Sequence, residues 1–287
     1  MIRNLPKGRI QQAAARIWAL VQEPSERCYP LIQDEADIAR TLYWAREEET
    51  GHARSYWSGG AMKGVCCFHA EPARAYAQII ALYAWDDAQA ATDAMLNSVD
   101  AACPGYTVDI GLPGEDQRLE SALKERGYRI VDDCINLRCA LPLELDCVND
   151  FELTLLESAD EKFEDYAPLH DAWFPELYWS AECLRQYPGK WVVITAGSNG
   201  KTAGALLLVW GPNLAEIYGL HAADEAMSKA LIAAALTRAS RAGKECQEML
   251  FMADAVDETN VHAALSCGFL PIGRYVGWRK QPEERTL

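Results

Sequence analysis

The stretch Glu258–Lys280, ETNVHAALSCGFLPIGRYVGWRK, holds a short helical run from Val261 to Cys267 that breaks at Gly268-Phe269. Extended residues follow and end on arginine and lysine. A glycine at a helix end takes the left-handed conformation without a Cβ penalty and so stops the helix. Half a chain earlier, Leu119–Cys139, LESALKERGYRIVDDCINLRC, follows the same script. Ala-Leu leads to Gly127-Tyr128, and extended residues then run to an arginine. One ending used twice implies one fold used twice.

Working outward, the hydrophobic period changes along the chain in a repeating order. Ile10 to Gln22 and Ala36 to Glu47 are spaced as helices. HARSYWS and GVCCFHA, joined by GGAMK, form a hairpin pattern. AYAQIIALYAW is a nearly continuous apolar strand, suited to a sheet centre. Asp86-Asp87 precede a helix from Ala88 to Ala102. The strand YTVDIGL, a helix stopped by Gly127, and the extended YRIVDDCINLRCAL close the first half. PLELDCVN, Pro142 to Asn149, is a connector. The order then repeats. FELTLLE, a helix from Ala159 to Phe174, the aromatic loop WFPELYW and a short helix capped by Ser180 lead to KWVVITAG and KTAGALLLVWG. AEIYGLH, a helix from Glu225 to Ala242, QEMLFMAD and the closing stretch complete it.

The chain has 287 residues, enough for two domains, with 50% hydrophobic and 24% charged residues. Its net charge of -15 and the absence of Lys/Arg clusters disfavour nucleic acid and anionic membranes as partners. No apolar run reaches the ~20 residues of a spanning helix, and the N-terminus lacks a secretory pattern. The ten cysteines show no metal-ligand spacing, so reduced thiols in a cytoplasmic protein and no bound metal are expected.

This element order resembles the GNAT N-acetyltransferase superfamily, as a tandem pair. The resemblance spans nearly the whole chain and rests most firmly on Asn260, the short helix, Gly268-Phe269 and IGRYVGWRK. It implies an α/β fold of two tandem GNAT-like domains, each a mixed, mostly antiparallel sheet flanked by helices. The expected division is residues 1–143, a degenerate first domain with a structural, substrate-shaping or dimerising role, and residues 150–287, the functional domain. It implies acyl transfer from acetyl-CoA to a small-molecule amine, and a homodimer is compatible with it. The alternatives are a catalytically silent tandem protein that binds a ligand or partner, and an unrelated α/β domain pair.

The resemblance also implies site residues. The family's splayed strand corresponds to AEIYGLH, so Glu216 and Tyr218 on one face and His221 at its end are candidate base and acid. Gly219 and Leu220 would border the pantetheine. The family's pyrophosphate loop, roughly Arg/Gln-x-x-Gly-x-Gly/Ala, falls on Glu225, Ser228 and Ala230, so the backbone of Ser228, Lys229 and Ala230 would meet phosphate, with Asn260 nearby. Glu225 departs from the pattern, and a carboxylate there repels a pyrophosphate by about 1 kcal/mol in high dielectric. The family's acid tyrosine, four residues before Gly-Phe, is replaced by Ala264. His221 and His262 also fit surface packing, Cys267 fits a small core residue at a helix end, and WFPELYW fits either an acceptor pocket or core packing.

Overall fold

A computed structural model describes residues 1–23, 34–114, 117–142, 151–175, 177–198, 200–211, 213–241 and 246–282. In the first half, β1 (Ile2–Asn4), α1 (Ile10–Leu20) and α2 (Glu35–Glu47) precede the hairpin β2 (Gly51–Ser58) and β3 (Ala61–Glu71). Then come β4 (Tyr76–Ala84), α3 (Ala88–Ala102), β5 (Thr107–Pro113), α4 (Gln117–Glu125) and β6 (Arg129–Ala140). The second half holds β7 (Glu152–Glu157), α5 (Phe163–Trp173), α6 (Ala181–Arg185), β8 (Trp191–Ser198), β9 (Lys201–Gly211), β10 (Asn213–His221), α7 (Glu225–Arg241), β11 (Cys246–Asp254), α8 (Glu258–Ser266) and β12 (Leu270–Lys280).

Local chemistry sets these boundaries. Asp34 caps α2 by accepting the Asp37 N–H at 2.7 Å, and Ser180 caps α6. After α4 and α8, Gly127 and Gly268 take φ of +79° and +91°, which lets each chain turn back into a strand. The two endings of the opening comparison are thus one motif. Cys28 and Cys147, and most of the expected connector, lie outside the described residues. The described cysteines are free thiols, most of them buried.

The chain forms two compact units, and their limits correct the expected division at 143 and 150. The first unit is Met1–Asp133 with Arg274–Leu287, and the second is Cys134–Gly273. In the first, the strands run β1-β2-β3-β4-β5-β12, with β4 and β5 the parallel pair. In the second they run β7-β8-β9-β10-β11-β6, with β10 and β11 parallel. Tyr275–Lys280 of β12 pair with Pro113–Val108 of β5, and Cys134–Ala140 of β6 pair with Asp254–Glu248 of β11. Each half therefore gives its last strand to the other half's sheet. Local pattern fixes that these segments are strands; it does not encode which neighbour they pair with.

The first unit fastens its borrowed strand with charge. Arg279 donates to both carboxylate oxygens of Asp109 at 2.8 and 2.9 Å, with both side chains largely buried. Tyr76 Oη donates to the same carboxylate at 3.2 Å, and Lys280 bonds Asp100 at 2.8 Å. Arg274 pairs with Asp133 at the start of the borrowed segment. Val276 and Trp278 join the first unit's core of Phe68, Ile79, Met95 and Leu123.

A two-pronged, charge-assisted pair in low dielectric is costly to break from one side, because the remaining charge stays buried. Arg279→Met should destabilise the first unit by about 2–4 kcal/mol in urea titrations. Hydrogen exchange should locate the loss on β5, with Val108 and Ile110 losing protection before β8 and β9 do. Uniform loss across both units would contradict this.

Candidate functional site

The second unit's sheet is covered on two faces. On one, α7 and α8 pack Leu231, Leu236 and Phe269 on Leu206, Leu208, Ala215, Ile217 and Phe251. On the other, α5 and α6 pack Phe163, Tyr166 and Leu184 on Trp191, Val193 and Leu207. The candidate residues lie where β10 meets both.

β10 contains a bulge at the decisive place. Its register with β9 passes from Ile217↔Leu208 to Gly219↔Leu207, which leaves Tyr218 as the extra residue. Alternation would otherwise send successive side chains to opposite faces. Ala215 and Ile217 lie in the α7 face, so Glu216 lies on the α5 face, and Tyr218 packs there too. The bulge keeps Gly219 on that side: a Cβ there would meet the Phe174 ring at 3.1 Å and Leu177 at 3.5 Å. Leu220 returns to the α7 face and His221 to the α5 face. The shift of phase brings Glu216, Tyr218 and His221 to one face.

That face is aromatic. His221 stacks on Trp173 with centroids 4.5 Å apart and planes at 15°. Tyr218 meets Trp191 edge-on at 5.3 Å, and Trp191 meets Trp179 at 4.8 Å. The loop after α5 is pinned by a buried histidine that the sequence reading passed over. His170 Nε2 lies 2.7 Å from the Trp179 carbonyl, which can only accept, so Nε2 carries the proton. Nδ1 then accepts from Tyr166 Oη at 2.9 Å. The signal for this group was the i, i+4 spacing of Tyr166 and His170 beside the aromatic run. Burial also lowers the His221 pKa below its ordinary value, against an opposing pull from Asp257.

Beyond Ile217↔Phe251, β10 and β11 no longer pair. Asn260 fills part of that wedge. Its Nδ2 donates to the Leu220 carbonyl at 3.4 Å and to Asp257 at 2.7 Å, and its Oδ1 accepts from Ser228 Oγ at 2.6 Å. Ser228 and Asn260 are both buried, and their side-chain bonds join α7, α8 and the end of β10.

The expected phosphate loop is corrected in the same way. α7 begins at Glu225, where the hydrophobic period places it, so residues 228–230 lie beyond its first free N–H groups. Asp224 accepts the Met227 N–H at 2.8 Å through its carboxylate and the Ser228 N–H at 3.0 Å through its carbonyl. The N–H groups of Lys229 and Ala230 fall in the second turn, inside the helix ladder. Lys229 is itself paired with Glu225 at 2.6 Å. The first unit differs. β4 has its own bulge, at Ile80, and leaves β5 after Ile79↔Ile110. Asp87, expected to occupy the start of α3, makes no side-chain cap and turns to Lys63 at 2.9 Å.

Ala264 is buried and Cys267 is a core residue at the end of α8. Among the described residues, no group of three or more His, Cys, Asp or Glu is placed to hold a metal ion, and no helix is long and apolar enough to cross a membrane.

No family model matches the chain, and no curated protein does. Its fold does match solved structures. It is similar to a GCN5-related N-acetyltransferase from Sphaerobacter thermophilus, at 14% identity over 98% of this chain and 95% of that one, with a TM-score of 0.66. It is also similar to a tandem GNAT protein from the clavulanic acid biosynthesis pathway, at 14% identity over 98% of both chains and a TM-score of 0.60. A GCN5-related N-acetyltransferase from Kribbella flavida matches 79% of this chain and 90% of its own, at 16% identity and a TM-score of 0.52. The chain thus has the tandem GNAT fold that the two endings imply, each unit a mixed, mostly antiparallel sheet flanked by helices.

Burial lowers the His170 pKa from its ordinary value of 6.5, against the raising effects of the Trp179 carbonyl and Asp171. The unfolded chain therefore takes up this proton at higher pH than the folded one. His170's contribution is fully present above about pH 6.5 and is lost as the pH falls below it. Urea stability of the second unit should fall between pH 7 and pH 5, and near-UV circular dichroism should show the tryptophans loosening. His170→Gln should flatten that slope; an unchanged slope would exclude His170 as its source.

Proposed function

We propose that the chain is an acyl-CoA-dependent N-acyltransferase that transfers an acetyl group to a small-molecule amine on the aromatic face of the second unit. The observation that carries this reading is the bulge at Tyr218. It sets a phenol and an imidazole on one face, beside a strand that has parted from its parallel neighbour.

The parted β10 backbone from Tyr218 to Leu220 suits an extended pantetheine arm, except that Asn260 already holds the Leu220 carbonyl. The N–H groups at 228–230 lie inside the helix ladder, so a pyrophosphate would have to meet the first turn of α7, beside Glu225. When bound, the co-substrate supplies a thioester carbonyl for the amine to attack. The rest belongs to the chain's own groups. His221, held neutral near pH 7 by its lowered pKa, is the base that takes a proton from the incoming ammonium. The Tyr218 hydroxyl is a proton donor on the same face. The Glu216 carboxylate favours a cationic acceptor. Trp173, Phe174 and Leu177 exclude water around Gly219.

A second reading, a silent tandem GNAT-fold protein that binds a ligand or partner, is favoured by one observation. The start of α7 is capped by Asp224 and flanked by Glu225, which leaves little attraction for a diphosphate.

Calorimetry with acetyl-CoA, followed by turnover with a panel of primary amines, separates the two. On the enzyme reading His221→Ala should lower kcat by about a hundredfold with KM little changed. Tyr218→Phe should lower it about tenfold. Glu225→Arg, which puts a guanidinium beside α7, should tighten acetyl-CoA about tenfold. If neither wild type nor Glu225→Arg binds acetyl-CoA, the silent reading stands.

A further inference from the structure

The two bulges fix which positions of the two sheets are equivalent. Gln78 lies two residues before the bulge at Ile80, as Glu216 lies two before the bulge at Tyr218. Across the first unit's sheet Gln78 pairs with Asp109, and Asp109 with Arg279. Across the second, Glu216 pairs with Leu250, and Leu250 with Arg138. Arg138 is thus the counterpart of Arg279, on the strand that each unit borrows.

The surroundings of the two arginines differ. Arg279 is closed by Asp109, with both side chains largely buried. In the second unit apolar Leu250 stands at the place of Asp109. Leu137, Cys139, Met249 and Phe251 belong to the α7 face, so alternation sends Asn136, Arg138 and Leu250 to the face of Glu216 and Tyr218. Leu250 is buried, and Glu216, Tyr218, Asn136 and Arg138 around it are partly exposed. Among the described residues Arg138 has one carboxylate partner, Glu248, reached through one nitrogen at 3.2 Å. Their side chains are 36% and 42% exposed, and a pair so open to water contributes little. On the same strand face, the Arg138 Nε and the Asn136 Oδ1 are buried without a hydrogen-bond partner. Buried polar atoms are satisfied in nearly every protein. An orphaned donor beside an orphaned acceptor therefore points to a group that both accepts and donates.

We propose that Arg138 and Asn136 form an acceptor subsite of the second unit and that the acceptor is an amino acid, its carboxylate on the Arg138 guanidinium and its amino group facing Asn136 and Glu216. A planar fork suits a carboxylate better than a point charge does. Two strand spacings set Glu216 and Arg138 about 10 Å apart at their backbones, with Leu250 between them. Two long side chains leaning inward over that leucine match a molecule whose opposite charges are a few bonds apart. The role as acceptor rests on the acyl-transfer reading; the binding of the amino acid does not.

The test is calorimetric titration of the full chain, with and without coenzyme A, using three amino acids and the amines that lack their carboxylates. The pairs are glycine and methylamine, γ-aminobutyrate and propylamine, and phenylalanine and phenethylamine. In at least one pair the amino acid should bind at least tenfold more tightly than its amine. Arg138→Met should abolish that preference and leave the amine's affinity unchanged, and Arg138→Lys should fall between. Glu248→Gln, which removes the competing carboxylate, should tighten the amino acid about threefold. Circular dichroism checks folding, and should Arg138→Met fail to fold, Arg138→Lys and Glu248→Gln decide. Equal affinities within all three pairs, or no saturable binding, overturns the proposal. Turnover with acetyl-CoA judges the transfer reading separately. Discrimination in binding with no acetyl transfer to any of these amines keeps the subsite and removes that reading. Transfer to amino acid and amine alike, unchanged in Arg138→Met, keeps the reading and removes the subsite.

Discussion

Neither sheet is complete in its own half of the chain. β5 and β11 each need an antiparallel neighbour, and each receives it from the other half. In the first unit that neighbour brings Val276 and Trp278 into the core and Arg279 onto Asp109. A lone carboxylate at Asp109 would be costly in its largely buried place, and the guanidinium offsets the cost only when β12 has docked in register. The parallel β4–β5 pair, and with it the bulged end of β4, is therefore fixed by residues some 170 positions further along the chain. Because the exchange is mutual, the second unit's parallel pair, which carries the candidate site, likewise depends on β6.

The site itself follows from one inserted residue. Without the bulge at Tyr218, His221 would point into the Leu231–Ile217 core and Gly219 would face away from Phe174. With it, phenol, imidazole and the aromatic loop converge, and β10 bends off β11 at the point where Asn260 takes over the bonding of its backbone. The same insertion at Ile80 marks the first unit as built on the same plan, but apolar Ile80 stands where Tyr218 does. One unit keeps the geometry with chemistry on it; the other keeps the geometry.

Most of the architecture was legible in local pattern. The helix of Ala88–Ala102 and the strand of Leu270–Lys280 follow from hydrophobic period, and Gly127 and Gly268 from their need for positive φ. Partner choice was not legible, because β6 and β12 have the same ending and the same alternation and nothing local tells one edge from the other. At the site, Glu216 and Tyr218 were readable as neighbours on one face by alternation, whereas the phase shift that adds His221 was not. The phosphate loop misled for a definite reason. Matching positions to Arg-x-x-Gly-x-Gly assumes a loop, while Asp224 followed by Glu225 and Ala226 is a strong start signal for a helix, and the helix won.

The exchanged strands also set an order of events during synthesis. As the chain emerges from the ribosome, the first unit's other strands are made long before β12, which follows β5 only after the whole of β6 to α8. Through that interval β5 is an open edge, with a row of unbonded N–H and C=O groups able to recruit any extended segment. Two of its residues guard against this. Pro113 offers no N–H, and Asp109 sets a charge in the strand that a foreign β-segment would have to bury. The carboxylate that later locks the correct strand thus first turns away the wrong ones, and Arg279 is what distinguishes the two cases.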